Sequence, residues 1–518
     1  MINYWWVTRP KRKLNTVPDV LATFSDISLN MEWQGQRESH LSFEEMLEKA
    51  GLKRIGERRD QGGSGARTYK AWIMSLGLIF EQEKTRQIKL TLAGEAIMNG
   101  ENPLEIIKNQ VIKYQFPSSF SVGRNIDVNP RFKVHPFVFL LRLLSDSRIN
   151  GLTQEEIAKI VAVEAEDDGD VCFEKVVQKI LLFRTYGDVC LDDDFTEKYA
   201  PSKGTGRIDK PFDHLLDLAN TIINWIEYTQ LARRDENRIL RLLETGRTEV
   251  EAILKNPPTL IDRPYEHEYF QRKYGVDLKH HKDTRNLLKT ETITAQTIAE
   301  QKIRKTFIGE SITKPISKIN RQVIDSIASK TGIEDIFVEE TLFKYYPHGA
   351  IGAFMAEYFE MAFSGTKRAT EFELATANIF KDSFGFETKH VGPIGLTPDV
   401  LLVSDCEGYS AIIDNKAYSK YSISNDHFNR MVTNYIQNMD HYYLGEEPLA
   451  FFSYIAGGFG SGITRQLKSI EEASGSKGSA MPVGVFIEML KKNEISGYSQ
   501  KRIRDIFSVG RQISITDL

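Results

Sequence analysis

The sequence predicts a multidomain protein that is mainly α-helical in its N-terminal half and α/β, with a mixed sheet, in its C-terminal third. The chain has 518 residues, and at about 150 residues per domain this length favours three or four domains. Apolar residues recur at helical spacing over most of the first part, whereas short β-rich runs follow residue 347. Breaks in these patterns divide the chain into regions 1–130, 131–255 and 346–518, with a helical linker expected over 256–345.

The composition is that of an ordinary globular protein. Hydrophobic residues make up 41% and charged residues 27% of the chain, which is enough apolar material for buried cores. The net charge of -4 argues against a protein that coats nucleic acid by bulk charge, but it leaves local basic patches open. Cys172, Cys190 and Cys406 form no CxxC pair, which fits a reducing cytoplasm. No apolar run reaches the length of about 18 residues that predicts a membrane span.

Three regions of the N-terminal half share a pattern of amphipathic helices. In residues 41–97, two helices around a glycine-rich loop precede two short strands with a polar turn. Residues 134–184 repeat the helical part, and Thr153 with Glu156 has the capping-box spacing that begins a helix. Residues 212–243 combine an apolar helix with a basic hairpin. Helix, helix and hairpin is the winged-helix pattern, a helix-turn-helix variant that commonly reads DNA.

A basic stretch in the first of these regions is the candidate DNA contact. Its loop glycines allow the backbone to approach a phosphate closely, and arginine can read guanine with two hydrogen bonds in the major groove. We expect contacts with double-stranded DNA, some on phosphates and some on bases, from Arg58, Arg59, Arg67 and Lys70. The alternative is a solvated helix face with a flexible loop, which is the commoner role of a charge run.

From about residue 347 the pattern changes to that of an α/β domain. Two helices are predicted near 350–363 and 367–385, and a third near 426–438. The predicted strands are PDVLLV, SAIIDNK, LAFFSYI and MPVGVF. Strands and helices that alternate in this way predict a small mixed sheet covered by helices.

The strongest chemical signal in the chain is a short constellation of charged residues. Pro398 and Asp399 are followed, after fourteen further residues, by Asp414, Asn415 and Lys416. This PD…(D/E)xK spacing is short and degenerate, so on spacing alone a surface hairpin with solvated ion pairs is an equal alternative. The surrounding order of helix, strand, turn, strand and helix favours a functional site.

The expected hairpin brings these charges together. If the two strands pair as an antiparallel hairpin around the polar turn SDCEG, Val403 faces Ser410 and Asp399 faces Asp414. Such cross-strand partners have Cβ atoms about 4.5–5.5 Å apart. Lys416 lies two residues beyond Asp414 and therefore points to the same face of the sheet.

Two neighbouring carboxylates of this kind predict a metal site. They repel each other unless a cation lies between them, and hard oxygen ligands suit Mg²⁺. Asp399, Asp414 and the backbone carbonyl of Asn415 are the expected ligands, and Lys416 is expected to contact the reacting phosphate and help to activate water. Glu373, on the preceding helix, is expected to face the same site and to hold the metal through water.

Residues 373–419 resemble the cleavage domain of FokI-type type IIS restriction endonucleases. The resemblance lies in the segments EFELATANIFKDSFGFETKHVG, TPDVLLV and AIIDNKAYS, and it extends more loosely over about residues 345–518. It implies a PD-(D/E)xK nuclease domain in which Asp399 and Asp414 bind the metal and Lys416 is the catalytic lysine. Glu373 matches the acidic helix position of that family.

The N-terminal half resembles the recognition region of AlwI-family type IIS enzymes. The matching segments are ARTYKAWIMSLGLIF, NPLEIIKNQVIKYQFPS and HPFVFLLRLL, within about residues 1–250. Together the two resemblances imply a type IIS restriction endonuclease. Its N-terminal part would bind a specific duplex sequence, and its C-terminal domain would hydrolyse a phosphodiester at an offset position with Mg²⁺.

One active site of this kind cuts one strand. A double-strand break therefore requires a second catalytic domain, from a transient homodimer through the nuclease domain or from a small second subunit. The family also implies a companion DNA methyltransferase in a restriction-modification system. Two alternatives stay open. The first is a strand-specific nicking endonuclease, or the large subunit of a heterodimeric restriction enzyme. The second is a winged-helix DNA-binding regulator with an inactive nuclease-like domain.

Overall fold

The chain divides into two compact units, Met1–Lys305 and Thr306–Leu518. The structure is a computed structural model, and it describes residues 1–54, 63–99, 101–119, 121–122, 128–201, 212–287, 295–347, 349–391, 397–443 and 445–518. The observed boundary falls inside the region 256–345, which the sequence assigned to a helical linker. The finer division into four regions stays a prediction.

The first unit consists mainly of helices. In chain order they are α1 (Val17–Ser28), α2 (Arg37–Lys49), α3 (Ser64–Ser75), α4 (Leu92–Met98), α5 (Pro103–Ile112), α6 (Pro136–Ser145), α7 (Gln154–Glu156), α8 (Ala162–Glu164), α9 (Asp170–Tyr186), α10 (Phe195–Lys198), α11 (Asp213–Tyr228), α12 (Arg247–Lys255) and α13 (His267–Tyr274). A π-helical segment, Ile157–Val161, joins α7 to α8, and 3₁₀ turns lie at Gly187–Cys190 and Glu244–Gly246. The next helix, α14 (Ala295–Thr313), runs across the boundary between the units.

Two antiparallel hairpins accompany these helices. The first consists of β1 (Ile79–Glu81) and β2 (Ile88–Leu90) and follows α2 and α3 in the chain. The second consists of β3 (Ala232–Arg234) and β4 (Leu240–Leu242) and follows α11. Both hairpins lie where the sequence predicts them. Their assignment as the wings of winged-helix units stays a prediction.

The second unit contains a mixed sheet, as predicted, and the sheet has five strands. Its strands are β5 (Glu387–His390), β6 (Val400–Ser404), β7 (Tyr409–Asn415), β8 (Leu449–Ala456) and β9 (Lys477–Pro482), and they lie side by side in chain order. The pairs β5–β6 and β6–β7 are antiparallel, whereas β7–β8 and β8–β9 are parallel.

Helices surround this sheet. In chain order they are α15 (Arg321–Thr331), α16 (Asp335–Tyr345), α17 (Ile351–Met361), α18 (Ala369–Phe384), α19 (Asn425–Asn429), α20 (Ile463–Ser474), α21 (Val483–Ser496) and α22 (Gln500–Phe507). A π-helical stretch, Arg430–Gln437, continues α19, and 3₁₀ turns lie at Gly365–Arg368, Met439–His441 and Ile515–Asp517. None of the helices in the described part of the chain is both long and apolar enough to cross a membrane.

The central strand β7 is buried along its whole length. Its apolar side chains enter the core on both faces of the sheet, which is the usual state of a strand with helices on each side. On one face α18 packs across β5, β6 and β7. On the other face Ile412 joins an apolar cluster with Met431, Phe452 and Leu467. The predicted site residues at the end of β7 are therefore attached to a strand that is buried along its whole length.

Two strand predictions need correction. The segment MPVGVF is not a single strand, because β9 ends at Pro482 and α21 begins at Val483. Proline has no backbone N–H to continue a sheet ladder, and the fixed φ of proline suits the position just before a helix. The edge strand β5 was not predicted. Its sequence, ETKH, is polar and its side chains are exposed or half-buried, so it has no apolar run.

A buried aspartate joins α13 to the segment that follows it in the first unit. The side chain of Asp283 is only 1% exposed. Arg272 Nε donates to Asp283 at 3.1 Å, and Arg285 donates through its Nε at 2.9 Å and its guanidinium NH₂ at 2.7 Å. Burial alone would raise the pKa of Asp283, but these hydrogen bonds outweigh burial and lower it to about 2.

We therefore expect Asp283→Asn to destabilise the first unit in a pH-dependent way. A lowered folded-state pKa stabilises the fold above the ordinary value of 3.8, and this contribution is lost as the pH falls towards 2. At pH 7 the loss should be about 2 kcal/mol, the typical contribution of a hydrogen bond to a charged group. Urea unfolding at several pH values measures it, with the exposed Asp193→Asn as control. A loss that is unchanged between pH 7 and pH 2 would contradict this account.

Candidate active site

The hairpin formed by β6 and β7 has the predicted register. Val403 pairs with Ser410, and Val400 pairs with Ile413. Continued by one residue, this register places the segment that enters β6 at Asp399 beside the end of β7. The position of the turn therefore decides which charged side chains meet at this end of the sheet.

Three of the predicted site residues come together there. The backbone N–H of Asn415 donates to Asp399 Oδ2 at 2.6 Å. Lys416 Nζ lies 2.5 Å from Asp414 Oδ2, and the two side chains are 15% and 4% exposed. The hairpin thus places two carboxylates and one ammonium group in a largely buried site at the end of the central strand.

The charges in this site perturb one another. Burial raises the pKa of Asp399 well above its ordinary value, and the neighbouring charge of Asp414 raises it further. Burial would lower the pKa of Lys416, but the charges of Asp414 and Asp399 outweigh burial and raise it. Lys416 is therefore a cation at neutral pH, suited to stabilise negative charge rather than to accept a proton.

One carboxylate oxygen in the site has no partner among the described residues. Asp414 Oδ1 is buried and accepts no hydrogen bond from them, although buried polar atoms are nearly always paired. An unpaired carboxylate oxygen beside a second carboxylate is the donor set that a hard divalent cation needs. The described residues contain no cluster of three or more His, Cys, Asp or Glu side chains arranged as metal ligands. A cation here would therefore depend on the two aspartates, a backbone oxygen and water, which fits Mg²⁺.

Glu373 lies on α18 close to this site. Its charge raises the pKa of both Asp399 and Lys416. Its carboxylate is hydrogen-bonded to His390 of β5, with Nε2 and Oε2 at 3.0 Å. The structure thus brings Glu373 near the predicted group, with His390 as its direct partner. Sequence reasoning missed His390, because a single histidine on a polar strand carries no pattern.

Aromatic residues line the face of β7 on which Asp414 lies. Tyr421 and Tyr454 are buried there, with ring centroids 5.4 Å apart. The hydroxyl of Tyr421 lies 2.9 Å from His427 Nδ1. Burial raises the pKa of Tyr421, and the charge of Asp414 raises it further. These residues were also missed, although the repeated tyrosines after Lys416 were visible in the sequence.

The predicted DNA contacts have different outcomes. Arg58 and Arg59 lie outside the described residues. Arg67 is exposed on α3, as a contact with DNA requires. Lys70 is only 5% exposed, and its ammonium group lies 3.8 Å from the Glu81 carboxylate. The expectation that Lys70 presents its charge at the surface is therefore corrected, because the side chain is buried near Glu81 of β1.

The basic hairpin formed by β3 and β4 is partly neutralised within the protein. Arg234 pairs with Glu227 of α11 at 2.7 Å, and Arg241 pairs with Asp235 at 2.9 Å. These arginines therefore stabilise the hairpin and its contact with α11. A basic sequence at a hairpin does not by itself present positive charge to solvent.

Two family models match the chain. Residues 74–357 match the model of the AlwI restriction endonuclease, which is more than half of the chain. Residues 332–514 match the model of the FokI cleavage domain. The AlwI match begins at residue 74 and ends at residue 357. The AlwI-like region expected from the sequence was instead about residues 1–250. Comparison with curated proteins gives no match.

Solved structures give distant likenesses. The restriction endonuclease FokI is 15% identical, covers 99% of this chain and 100% of its own, and has a TM-score of 0.28. The structure of FokI bound to DNA is 14% identical, covers 99% of both chains, and also scores 0.28. The binding domain of the BpuJ1 endonuclease, in complex with modified DNA, is 15% identical. It covers 52% of this chain and 95% of its own, with a TM-score of 0.37.

At these low TM-scores the structural likenesses carry no weight, and the sequence models decide the assignment. The AlwI model spans most of the helical part, and the cleavage-domain model spans the mixed sheet with Asp399, Asp414 and Lys416. The chain therefore belongs to the AlwI restriction endonuclease family and is a type IIS site-specific deoxyribonuclease.

Proposed function

We propose that this endonuclease hydrolyses phosphodiesters of double-stranded DNA with Mg²⁺, at a position offset from its recognition sequence. The catalytic residues would be Asp399, Asp414 and Lys416, supported by Glu373. The observation that carries the proposal is the buried ion pair of Lys416 with Asp414 beside the buried Asp399, with one oxygen of Asp414 left without a partner among the described residues. A hairpin whose charges served only solubility would expose them.

The side chains have distinct roles in this proposal. Asp399 and Asp414 would hold Mg²⁺ together with the backbone carbonyl of Asn415, and the N–H of Asn415 keeps Asp399 in place. Bound Mg²⁺ supplies polarisation of a phosphoryl oxygen and a lowered pKa for a bound water. Lys416 would remain an ammonium group and stabilise charge on the phosphate. Glu373, oriented by His390, would hold water at the edge of the site.

DNA recognition is assigned to the helical part of the chain. Helices α2 and α3 and their hairpin would form a winged-helix reader, with Arg67 on its exposed surface. Arg58 and Arg59 remain proposed contacts on the basis of sequence. Because reading and cleavage would belong to different parts of the chain, the connection between them would set the distance from recognition site to cut.

Cleavage of both strands would require a second catalytic domain. A transient homodimer through the nuclease domain, or a small second subunit, would supply it. A companion DNA methyltransferase would protect the host sequence, as the family implies. Digestion of a complex DNA with Mg²⁺, followed by sequencing of the ends, tests the proposal and reports both site and offset. Absence of cleavage at every sequence would contradict it.

The number of strands cut separates the remaining alternatives. With supercoiled plasmid, linear product indicates a pair of catalytic domains. Stable open circles indicate a strand-specific nicking enzyme, or a large subunit that lacks its partner. Specific DNA binding with no cleavage of either strand indicates a regulator with an inactive nuclease-like domain.

Lys416→Ala should abolish most of the cleavage and leave DNA binding intact. The ammonium group is a buried charge beside the expected phosphate position, and loss of one such electrostatic contact typically costs about 10²–10³-fold in rate. Single-turnover cleavage measures the effect, and Lys420→Ala provides an exposed lysine four residues away as control. A Lys416→Ala rate within about threefold of the parent chain would rule out the assigned role.

Asp399→Asn should raise the stability of the metal-free protein. The raised folded-state pKa of Asp399 means that its ionised form destabilises the fold, fully so above that pKa. Removal of about 1 kcal/mol of destabilisation, from burial of the charge first and repulsion by Asp414 second, would raise the melting temperature by about 2–4 °C for a unit of this size. This gain in melting temperature should shrink as the pH is lowered towards 3.8, the ordinary pKa of an aspartate.

Calorimetric melting in EDTA and in Mg²⁺ measures this effect. Mg²⁺ should stabilise the parent chain, since a ligand that binds only the folded state raises its stability, and it should not stabilise Asp399→Asn. Asp405→Asn, in the turn of the same hairpin, is the control. Equal stabilisation of all three proteins by Mg²⁺ would argue against a metal at this site.

Arg67→Ala should weaken binding to duplex DNA. If Arg67 contacts a phosphate, the slope of log affinity against log salt concentration should fall by about one, and a contact with a base should instead relax sequence preference. Fluorescence anisotropy over a salt series distinguishes the two. Arg247→Ala is the exposed control, and the buried Lys70→Met should leave affinity unchanged. Unchanged affinity and slope in Arg67→Ala would remove this residue from the interface.

A further inference from the structure

A buried chain of hydrogen bonds lies behind the active site, on the face of β7 that α18 covers. Asn415 Nδ2 donates to Thr376 Oγ1 at 2.7 Å. Thr376 Oγ1 also lies 2.7 Å from the hydroxyl of Tyr358 on α17 and donates to the carbonyl of Phe372 at 2.8 Å. Thr376 and Tyr358 are fully buried. The side chain of Asn415 is thereby attached to two helices of the unit.

The chemistry of the threonine hydroxyl fixes the direction of each hydrogen bond. Its single hydrogen points to the Phe372 carbonyl, so Thr376 Oγ1 can only accept from its two other neighbours. Tyr358 must therefore donate its hydroxyl hydrogen, and Asn415 must present its NH₂ group. A flipped amide would place the Asn415 oxygen against Thr376 Oγ1, and the hydroxyl hydrogen would then have to leave the Phe372 carbonyl. In the observed orientation, Thr376 accepts from the Asn415 amide and keeps its bond to that carbonyl.

This orientation has a cost in stability. Asn415 Oδ1 is buried and finds no hydrogen-bond partner in the part of the chain that the structure describes, and an unsatisfied buried acceptor destabilises a fold. An apolar residue at this position would avoid the cost. Asn415 also lies between the two charged residues of the motif, and its backbone N–H holds the Asp399 carboxylate at 2.6 Å.

We propose that Thr376, itself held by Tyr358, is a positioning residue that fixes the Asn415 peptide, and through it the Asp399 carboxylate, for metal binding. The inference rests on the proposed metal site and adds a role that the PD…(D/E)xK motif does not contain. Thr376 touches neither metal nor substrate, so its effect passes through Asn415. Replacement of a group that hydrogen-bonds to a metal ligand typically lowers metal affinity by about 10–100-fold.

Calorimetric titration of the full chain with Mn²⁺ alone tests this role. Thr376→Val keeps the shape and removes the acceptor, so Mn²⁺ affinity should fall about tenfold, within the range expected for such positions. Thr376→Ser keeps the hydroxyl and should restore affinity to within about twofold of the parent chain. Thr331→Val is the matched control, because Thr331 of α15 is a buried threonine that likewise donates to a carbonyl four residues earlier.

A second variant separates positioning from loss of stability. Thr376→Val leaves the Asn415 amide and the Tyr358 hydroxyl without their acceptor, so it should lower the melting temperature. Asn415→Leu removes both the amide and its unpaired oxygen, so it should lower Mn²⁺ affinity about tenfold without the same loss of stability. Affinity within about twofold of the parent chain in both Thr376→Val and Asn415→Leu would overturn the positioning role. Mn²⁺ binding that survives Asp414→Asn would overturn the proposed metal site and this inference with it.

Discussion

The antiparallel pairing of β6 with β7 is the constraint on which the candidate active site depends. Side chains alternate between the two faces of a strand, so a slip of one residue would turn Asp414 and Lys416 to the opposite face. The pairing of Val403 with Ser410 prevents this slip, and the parallel neighbour β8 holds β7 from its other side. Because β7 is buried along its whole length, packing in the core of the sheet holds Asp414 at the end of the strand in place. The precision of the site thus comes from apolar packing several residues away.

The same burial creates an electrostatic conflict that explains the composition of the site. Two carboxylates in a poorly solvated position repel each other, and burial adds to the cost of ionising Asp399. Lys416 compensates part of this charge through its contact with Asp414. The remaining negative charge and the unpaired oxygen of Asp414 favour a cation. In this account the two buried carboxylates destabilise the folded protein without metal, and a bound metal ion offsets that destabilisation.

Much of this arrangement could be predicted from the sequence, because it depends on local patterns. The turn SDCEG fixed the expected register of the hairpin, and the Thr153–Glu156 spacing predicted a capping box whose two hydrogen bonds are present at 2.7 and 3.2 Å. Features that depend on long-range packing were missed or wrong. The polar strand β5 has no apolar run, and it pairs with β6 at the edge of the sheet. Lys70 lies in a basic stretch but is buried near Glu81, eleven residues away, and the contact of Thr376 with Asn415 joins residues 39 positions apart.

The central claim is that Asp399 and Asp414 share one divalent cation, and anomalous X-ray scattering from Mn²⁺ tests it most directly. Crystals of the full chain, with duplex DNA and Mn²⁺, should show an anomalous peak within about 2.5 Å of a carboxylate oxygen of each aspartate. A peak held by only one of them, or located elsewhere while this site shows none, would contradict the account.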